Sequence, residues 1–434
     1  MIKQILTALL LLLSPVPAWA VNVEKVVSPG GIEAWLVQDH ANPIIALQAA
    51  FAGGSSVEAE PGLAHMMAAL LDEGAGPYDS QSFQGRLEDL SIGLSFSAGK
   101  DEVVGSLRTL TDNRDAAFEM FRLAIVQPRF DKEPVERIRA QILAGLTREL
   151  QNPNAVASRV WYKAAFGDHP YGRPGNGTPD SVKAIKTAAL KGHAKSWLSR
   201  QGLIVGVVGD ITPEQLAPLL DKTFGGLPAG HPPIRVAETA IAGGRTIVEP
   251  RAIPQSVAVF GAPGIKRDDP DWFPAYVMNY ILGGGGFSSR LTEEVREKRG
   301  LAYSVYSYLL PMDHAGLVVG GVATQNARIK QSLDLIRQEL ARMAELGPDA
   351  TELADAKTYL TGSFPLSLDS TAAIAGLLVS MQSDKLGIDY LDRRNALIEA
   401  VTMDQVKAAA RRLLDPDKLL VVVVGQPEGV TGSP

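Results

Sequence analysis

The chain has 434 residues, of which 46% are hydrophobic and 21% are charged. This length favours two or more domains, and the composition is that of a globular protein, not of a disordered one. The formal net charge of −6 provides no basic surface for a nucleic acid. Because the chain has no cysteine, it has neither disulfides nor a thiolate metal site.

The N-terminus has the three parts of an export signal. Lys3 supplies a positive charge, Ile5 to Leu13 is an apolar run, and Ala18-Trp19-Ala20 offers small residues at the positions that a signal peptidase reads. The run is shorter than the ~20 residues that a membrane-spanning helix needs. We therefore expect a signal peptide at residues 1–20, cleaved near Ala20, and a periplasmic mature protein without a membrane span. A buried first helix is the alternative.

Strand and helix patterns alternate along the first half. The predicted strands are 33–37, 44–52, 94–98, 103–110 and 203–208, and the predicted helices are 62–71, 80–90, 112–126, 132–150, 154–166 and 180–200. Residues 225–245 are rich in proline and glycine and have no periodicity, which is typical of a linker.

A similar order returns after the linker. The predicted strands are 255–261, 303–310, 317–323 and 418–425, and the predicted helices are 272–282, 287–298, 326–346, 351–364 and 402–414. Both halves end in a helix, a turn and an apolar strand that finishes in Val-Gly, which indicates a degenerate repeat of about 200 residues; coincidence between two common α/β endings is the alternative. We expect an N-terminal domain at 21–224, a linker at 225–245 and a C-terminal domain at 246–434.

One motif in the first half resembles a known zinc site. Gly62-Leu63-Ala64-His65-Met66-Met67-Ala68-Ala69 resembles the zinc helix of the pitrilysin/insulinase family of metallopeptidases, whose motif is H-x-x-E-H. In that motif two histidines bind zinc and the glutamate acts as general base. Here His65 matches the first histidine, but Ala68 replaces the glutamate and Ala69 replaces the second histidine.

The third zinc ligand is also absent at the expected place. In the family it is a glutamate on a later helix, which here opens at Phe130-Asp131-Lys132-Glu133, and its position falls at or near Ala144-Gly145. Glu149 lies about one turn further on and is out of register. Because catalytic zinc needs three protein ligands, we expect no metal site in this chain and a structural role for His65.

The second half carries the most specific resemblance to the family. Gly283-Gly284-Gly285-Gly286 leads into Ser289-Arg290-Leu291 and then into Arg296-Glu297-Lys298-Arg299-Gly300-Leu301-Ala302-Tyr303. The loop from Phe166 to Gly172, followed by Gly177-Thr178, also resembles the family, and the likeness covers roughly residues 25–425. We expect close backbone packing or a hinge at the four glycines, because they lack the pattern of a phosphate-binding loop.

The resemblance implies a role for Arg296 and Tyr303 in catalysis and substrate binding. In the family these residues reach the zinc site of a facing domain, where an arginine and a tyrosine can donate hydrogen bonds to the substrate and to the developing oxyanion. The structural alternative is that Arg296 pairs with an acid one turn back, such as Glu293, and that Tyr303 packs in a core. Arg290 and Arg299 are expected to be structural or surface groups.

The resemblance also implies the fold and the function. The fold is expected to be α+β, with two similar domains that resemble those of the processing peptidases, each a mainly antiparallel sheet covered by helices, in a clam-shell arrangement. The chain would be the non-zinc subunit of a heterodimeric periplasmic metallopeptidase, inactive alone. It would bind peptides beside an H-x-x-E-H subunit that holds the zinc. The alternatives are a peptide-binding or assembly protein without catalysis, and a self-sufficient hydrolase, for which the sequence offers no nucleophile motif.

Overall fold

The computed structural model describes residues 21–433. The predicted signal peptide at residues 1–20 therefore lies outside the described residues. Within residues 21–433, no helix combines the length and the apolar character that are needed to cross a bilayer.

The chain forms two β-sheets. The strands of the first are β1 (Glu24–Val27), β2 (Glu33–Gln38), β3 (Ile44–Ala52), β4 (Gly93–Ala98), β5 (Glu102–Leu110) and β6 (Ile204–Gly209). Those of the second are β7 (Arg245–Pro250), β8 (Gln255–Pro263), β9 (Ala302–Met312), β10 (Ala315–Gln325) and β11 (Leu420–Gly425).

Helices occupy most of the remaining described chain. The first half contains α1 (Leu63–Ala68), α2 (Ser80–Asp89), α3 (Arg114–Val126), α4 (Lys132–Gln151), α5 (Pro153–Phe166), α6 (Pro179–Ala184), α7 (Thr187–Trp197) and α8 (Pro213–Phe224). The second contains α9 (Trp272–Asn279), α10 (Ile329–Leu346), α11 (Ala350–Gly362), α12 (Thr371–Ser383), α13 (Tyr390–Glu399) and α14 (Met403–Leu413).

Apart from β1, which has no counterpart in the second sheet, the two sheets have the same topology. The first has the order β1-β2-β6-β3-β5-β4 and the second has the order β7-β11-β8-β10-β9. In each, the last strand of the half inserts between the first and second strands of the repeat, so that one parallel pair (β2 with β6, β7 with β11) joins an otherwise antiparallel sheet. The predicted α+β fold and the internal repeat are confirmed.

In each half, one helix packs on the sheet of the other half. Helix α5 of the first half packs on β8 and β11, where Trp161 Nε1 donates a hydrogen bond of 3.0 Å to the carbonyl oxygen of Leu420. Helix α12 of the second half packs on β3 and β6 of the first sheet. Strand β11 is covered on one face by α5 and on the other by the apolar core of the second half, which explains its unbroken apolar run from Leu420 to Val424.

The division between the halves lies in an irregular segment. Helix α8 ends at Phe224 and β7 begins at Arg245, with no helix or strand between them. Helices α5 and α12 pack across this division, and the domain bounds 21–224 and 246–434 with a linker at 225–245 stay a prediction.

Candidate functional site

Helix α1 carries the remnant of the zinc motif and is held by the core. Ala68 is 1% exposed and belongs to the apolar core of the first half, whereas His65, three residues earlier, is half-buried. Burial lowers the pKa of His65 and therefore favours its neutral form. The general base and the second imidazole of a zinc peptidase have been replaced here by two small apolar side chains.

Glu149 lies near the end of α4, which runs without a break to Gln151. Its negative charge acts on the imidazole of His65 and opposes the effect of burial on the pKa of that ring. That Glu149 is out of register with the family's ligand position stays a prediction. Glu149 Oε1 accepts a hydrogen bond of 2.9 Å from Asn176 Nδ2, which holds it in place without a metal.

The part of the chain that the structure describes contains no group of three or more histidine, cysteine, aspartate or glutamate side chains that could hold a metal ion. His65 and Glu149 supply at most two ligands, one fewer than a catalytic zinc site requires. The other residues that the family resemblance implicates in catalysis, Arg296 and Tyr303, lie in the second half.

The four glycines of the second half follow helix α9, and the first of them, Gly283, is buried. Helix α9 continues into a wider turn in which the Gly285 amide donates to the Tyr280 carbonyl, five residues earlier, at 2.8 Å. A Cβ on Gly283 would lie 2.4 Å from Ser307 Oγ, so only glycine fits there. Ser307 is fixed in turn by two hydrogen bonds with Asn279. Close packing, one of the two expectations for this stretch, is the arrangement at Gly283.

Arg290 and Arg299 have the structural roles expected of them. Arg290 is 9% exposed. Its Nε donates a hydrogen bond to Oε1 of Glu352 on α11, and its Nη2 donates one to Oε2, both at 2.6 Å. Arg299 pairs with Glu294 at the surface. The Arg290 pair anchors the segment that carries Arg296 to α11, whereas the Arg299 pair lies within that segment.

A second wide turn and a β-bulge present Arg296 and Tyr303. The Lys298 amide donates to the Glu293 carbonyl, five residues earlier, and Gly300, with a φ of +58°, ends the helical segment. In the pairing of β9 with β10, Ala302 and Ser304 have partners in β10, whereas Tyr303 is skipped where the register shifts. A bulge re-aims the side chain at such a position, and Tyr303 is 83% exposed.

Arg296 lies between two aromatic rings. Its guanidinium carbon is 4.6 Å from the ring centroid of Phe287 and 5.0 Å from that of Tyr303. Its Nε is 3.3 Å from the carboxylate of the adjacent Glu297, not paired with Glu293. The structural alternative is therefore wrong for Tyr303, which packs in no core, and partly right for Arg296, which does have an acidic neighbour.

The sequence reasoning missed Phe287, which is 70% exposed. The signal available was an aromatic residue directly after four glycines and nine residues before Arg296, but only the folded turn brings it over the guanidinium. Phe287, Arg296 and Tyr303 together form an exposed group with hydrogen-bond donors and apolar surface and no nucleophile or metal ligand. Such a group can bind a peptide and stabilise negative charge, but it cannot activate water alone.

Comparisons with known proteins match the chain to relatives described as inactive. The sequence profile described as "Peptidase M16 inactive domain" matches residues 184–360. The solved structure of a peptidase M16 inactive domain from Pseudomonas fluorescens is 32% identical in sequence, has a TM-score of 0.88, and covers 95% of this chain and 99% of its own.

Two curated relatives bear different names. The non-peptidase homolog YmxG of Helicobacter pylori is 28% identical over 76% of this chain and 77% of its own length. A protein named as an uncharacterized zinc protease, from Streptomyces coelicolor, is 28% identical over 83% of this chain and 80% of its own length. With the solved relative above 30% identity and almost fully covered, the chain belongs to the peptidase M16 family, that of pitrilysin and insulinase, as a domain pair of the inactive type.

Proposed function

We propose that this chain is the non-zinc subunit of a heterodimeric, periplasmic zinc metallopeptidase that cleaves unfolded peptides. The partner would be a homologous H-x-x-E-H subunit that holds the zinc. Arg296 and Tyr303 would bind the substrate and stabilise the oxyanion formed at the partner's metal.

The observation that carries the proposal is the contrast between the two halves. The zinc helix has lost its base and one histidine to Ala68 and Ala69, while the segment from Gly283 to Tyr303 is intact, with its tyrosine exposed and its arginine partly exposed. A side chain of the size of Tyr303 that is 83% exposed on a bulge is suited to contact with another molecule.

The chemistry of the two side chains fits a supporting role. Attack on a peptide carbonyl places negative charge on its oxygen, and a preorganised donor aimed at that oxygen contributes about 2.7–4 kcal/mol. The Tyr303 hydroxyl can donate one hydrogen bond to the oxyanion, and the Arg296 guanidinium can donate to carbonyl or carboxylate oxygens of the substrate. The zinc-bound water of the partner would supply the nucleophile.

The experiment is a reconstitution. The chain is mixed with the H-x-x-E-H homologue from the same genome, and cleavage of a casein-derived peptide mixture is followed with each chain alone and with both. The proposal predicts cleavage by the pair, none by this chain alone, and loss of cleavage with a zinc chelator. Cleavage by this chain alone in the presence of chelator, or no gain when it is added to the homologue, would contradict it.

The name of the Helicobacter pylori relative favours a second candidate. The chain would then be a peptide-binding or assembly protein of the same fold without any catalytic part. In that case the homologue would cleave peptides equally well with and without this chain, although the two chains bind each other.

A further inference from the structure

A cavity of about 210 Å³ lies in the first half, beside the remnant of the zinc site. It is bounded by the first turns of α5 and by the loop at 172–176, and Glu149 reaches it from α4. The cavity is smaller than the ~300–1,000 Å³ of a site for a drug-sized molecule, so it has room for one end or one side chain of a ligand.

Three cationic side chains line this cavity: Lys100, Arg159 and Arg173. Lys100 Nζ donates a hydrogen bond of 2.7 Å to the carbonyl oxygen of Arg173 and lies 5.8 Å from the ring centroid of Tyr162. Among residues 21–433, none of the three forms an ion pair of 4.0 Å or less. Three cations around one small cavity without such a partner are unusual, since like charges repel each other.

The carboxylates near the cavity offset these cations only in part. Glu149 is a lining residue and accepts its hydrogen bond from Asn176, another lining residue. Glu58 and Asp101 also act on Lys100, but burial raises the pKa of Glu58 to about 7, so that near neutral pH a large part of its charge is lost. The cavity lining itself contains three cations and one carboxylate, and its net charge is therefore positive.

A buried hydroxyl beside the cavity also lacks a partner. Ser55 is 3% exposed, and its Oγ has no hydrogen-bond partner among the described residues. It lies against Gly175, one of the lining residues, where a Cβ would be 3.5 Å away. A buried polar group without a partner is costly and calls for an explanation. A polar ligand beside Gly175 would provide one.

We propose that this cavity binds a carboxylate of a peptide, either its C-terminal carboxylate or an acidic side chain. Arg159 and Arg173 would hold the two carboxylate oxygens, with Lys100 behind them. A singly charged group suits the site better than a phosphate dianion, because Glu149 would repel the second negative charge. Half-buried Tyr162 and the buried Val156 supply apolar surface for the rest of the terminal residue.

The test is isothermal titration calorimetry on the purified chain without a partner, so its outcome does not depend on the proposed peptidase function. The probes are an N-acetylated tetra-alanine peptide with a free C-terminal carboxylate, its C-terminal amide, the amide of an N-acetylated Ala-Ala-Glu-Ala peptide, and inorganic phosphate. At least one of the two carboxylate peptides should bind about tenfold more tightly than the tetra-alanine amide. Comparison of the two identifies whether the terminus or the acidic side chain is the source.

The variants are Arg159→Gln and Arg173→Gln, which are half-buried and exposed and leave the core intact. Each should weaken binding of the preferred carboxylate peptide about tenfold. The control is Arg235→Gln, an exposed arginine outside helices and strands that makes the same change in net charge, and it should bind as the parent does. Equal binding of acid and amide, absence of binding, an equal loss with Arg235→Gln, or tighter binding of phosphate would overturn the proposal.

Discussion

The guanidinium of Arg296 lies over the ring of Tyr303, with 5.0 Å between the guanidinium carbon and the ring centroid. Because the Phe287 ring centroid lies 4.6 Å from the same carbon, two aromatic contacts orient the arginine, and no buried ion pair does so. At an exposed site each such contact is worth about 0.5–1 kcal/mol. The contacts of Arg296 with Phe287 and Tyr303 orient its guanidinium without using the N–H groups at Nη1 and Nη2.

Removal of one ring tests this orientation. Phe287→Ala should lower kcat/KM of the reconstituted pair by about two- to fivefold, which corresponds to the loss of one stacking contact. Phe287→Tyr keeps a ring over the guanidinium and should restore the rate. If Phe287→Ala and Phe287→Tyr lower kcat/KM equally, the ring does not act through Arg296.

The buried pair between Arg290 and Glu352 should control the stability of the second half. Arg290→Ala leaves the partly buried carboxylate of Glu352 without its two hydrogen bonds of 2.6 Å. Loss of one member of such a pair costs about 3–5 kcal/mol. Urea denaturation of the purified variant measures the free energy of unfolding. The matched control is Arg299→Ala, whose surface pair with Glu294 should contribute less than about 1 kcal/mol; equal losses for the two variants would be the contrary result.

Glu58 should make the stability of the protein depend on pH. Its pKa is about 7 in the folded protein, raised by burial from an ordinary value of 4.5. The folded state therefore binds the proton more tightly than the unfolded state, and stability is lost as the pH rises from about 4.5 to about 7. The loss is at most about 3 kcal/mol.

The variant Glu58→Gln isolates this effect, because glutamine cannot ionise. The free energy of unfolding of Glu58→Gln, minus that of the parent, should increase by up to about 3 kcal/mol between pH 4.5 and 7.5. Subtraction removes the contributions of the other titrating groups. A difference that is constant or decreases over this range would show that burial does not raise the pKa of Glu58.

Trp161 should couple the two halves. It is fully buried against the second sheet and donates to the carbonyl oxygen of Leu420. Trp161→Ala should lower the free energy of unfolding by about 3–5 kcal/mol, because it removes a large buried side chain and leaves that carbonyl without its partner. The control is Leu150→Ala at an exposed position on the preceding helix, expected within about 0.5 kcal/mol of the parent. A comparably small loss for Trp161→Ala would mean that α5 does not hold the halves together.

Local patterns in the sequence were sufficient for most elements. The strand predicted at residues 44–52 is the observed β3, because its run of apolar and small residues is bounded by turn residues on both sides. The repeat could be recognised because each half must end in a strand that enters the centre of its sheet. Features of this kind follow from which residues of a segment are apolar, and they can be recognised before the fold is known.

The exchange of α5 and α12 could not be predicted. An apolar helix face shows that something covers it, but the pattern does not say which sheet does so. Trp161 lies on a helix of the first half, but its side chain packs on the second sheet.

The candidate site was predicted in its residues but not in its geometry. Arg296 and Tyr303 were identified by resemblance to the family segment. The bulge that skips Tyr303 depends on the register between β9 and β10, and the stack with Phe287 depends on the buried turn at Gly283. Both are pairings between distant parts of the chain that local periodicity does not specify.

The central claim is that Arg296 and Tyr303 support catalysis at a zinc site on a second chain. The most direct measurement is kcat/KM for peptide cleavage by the reconstituted pair, with Arg296→Ala and Tyr303→Phe compared with the parent at equal concentrations of complex. The account predicts that Tyr303→Phe, which removes one hydroxyl donor, lowers kcat/KM by about 10²–10³-fold, and that Arg296→Ala lowers it at least tenfold, while Arg299→Ala leaves it unchanged. Full activity of the pair with both Arg296 and Tyr303 replaced would contradict the account.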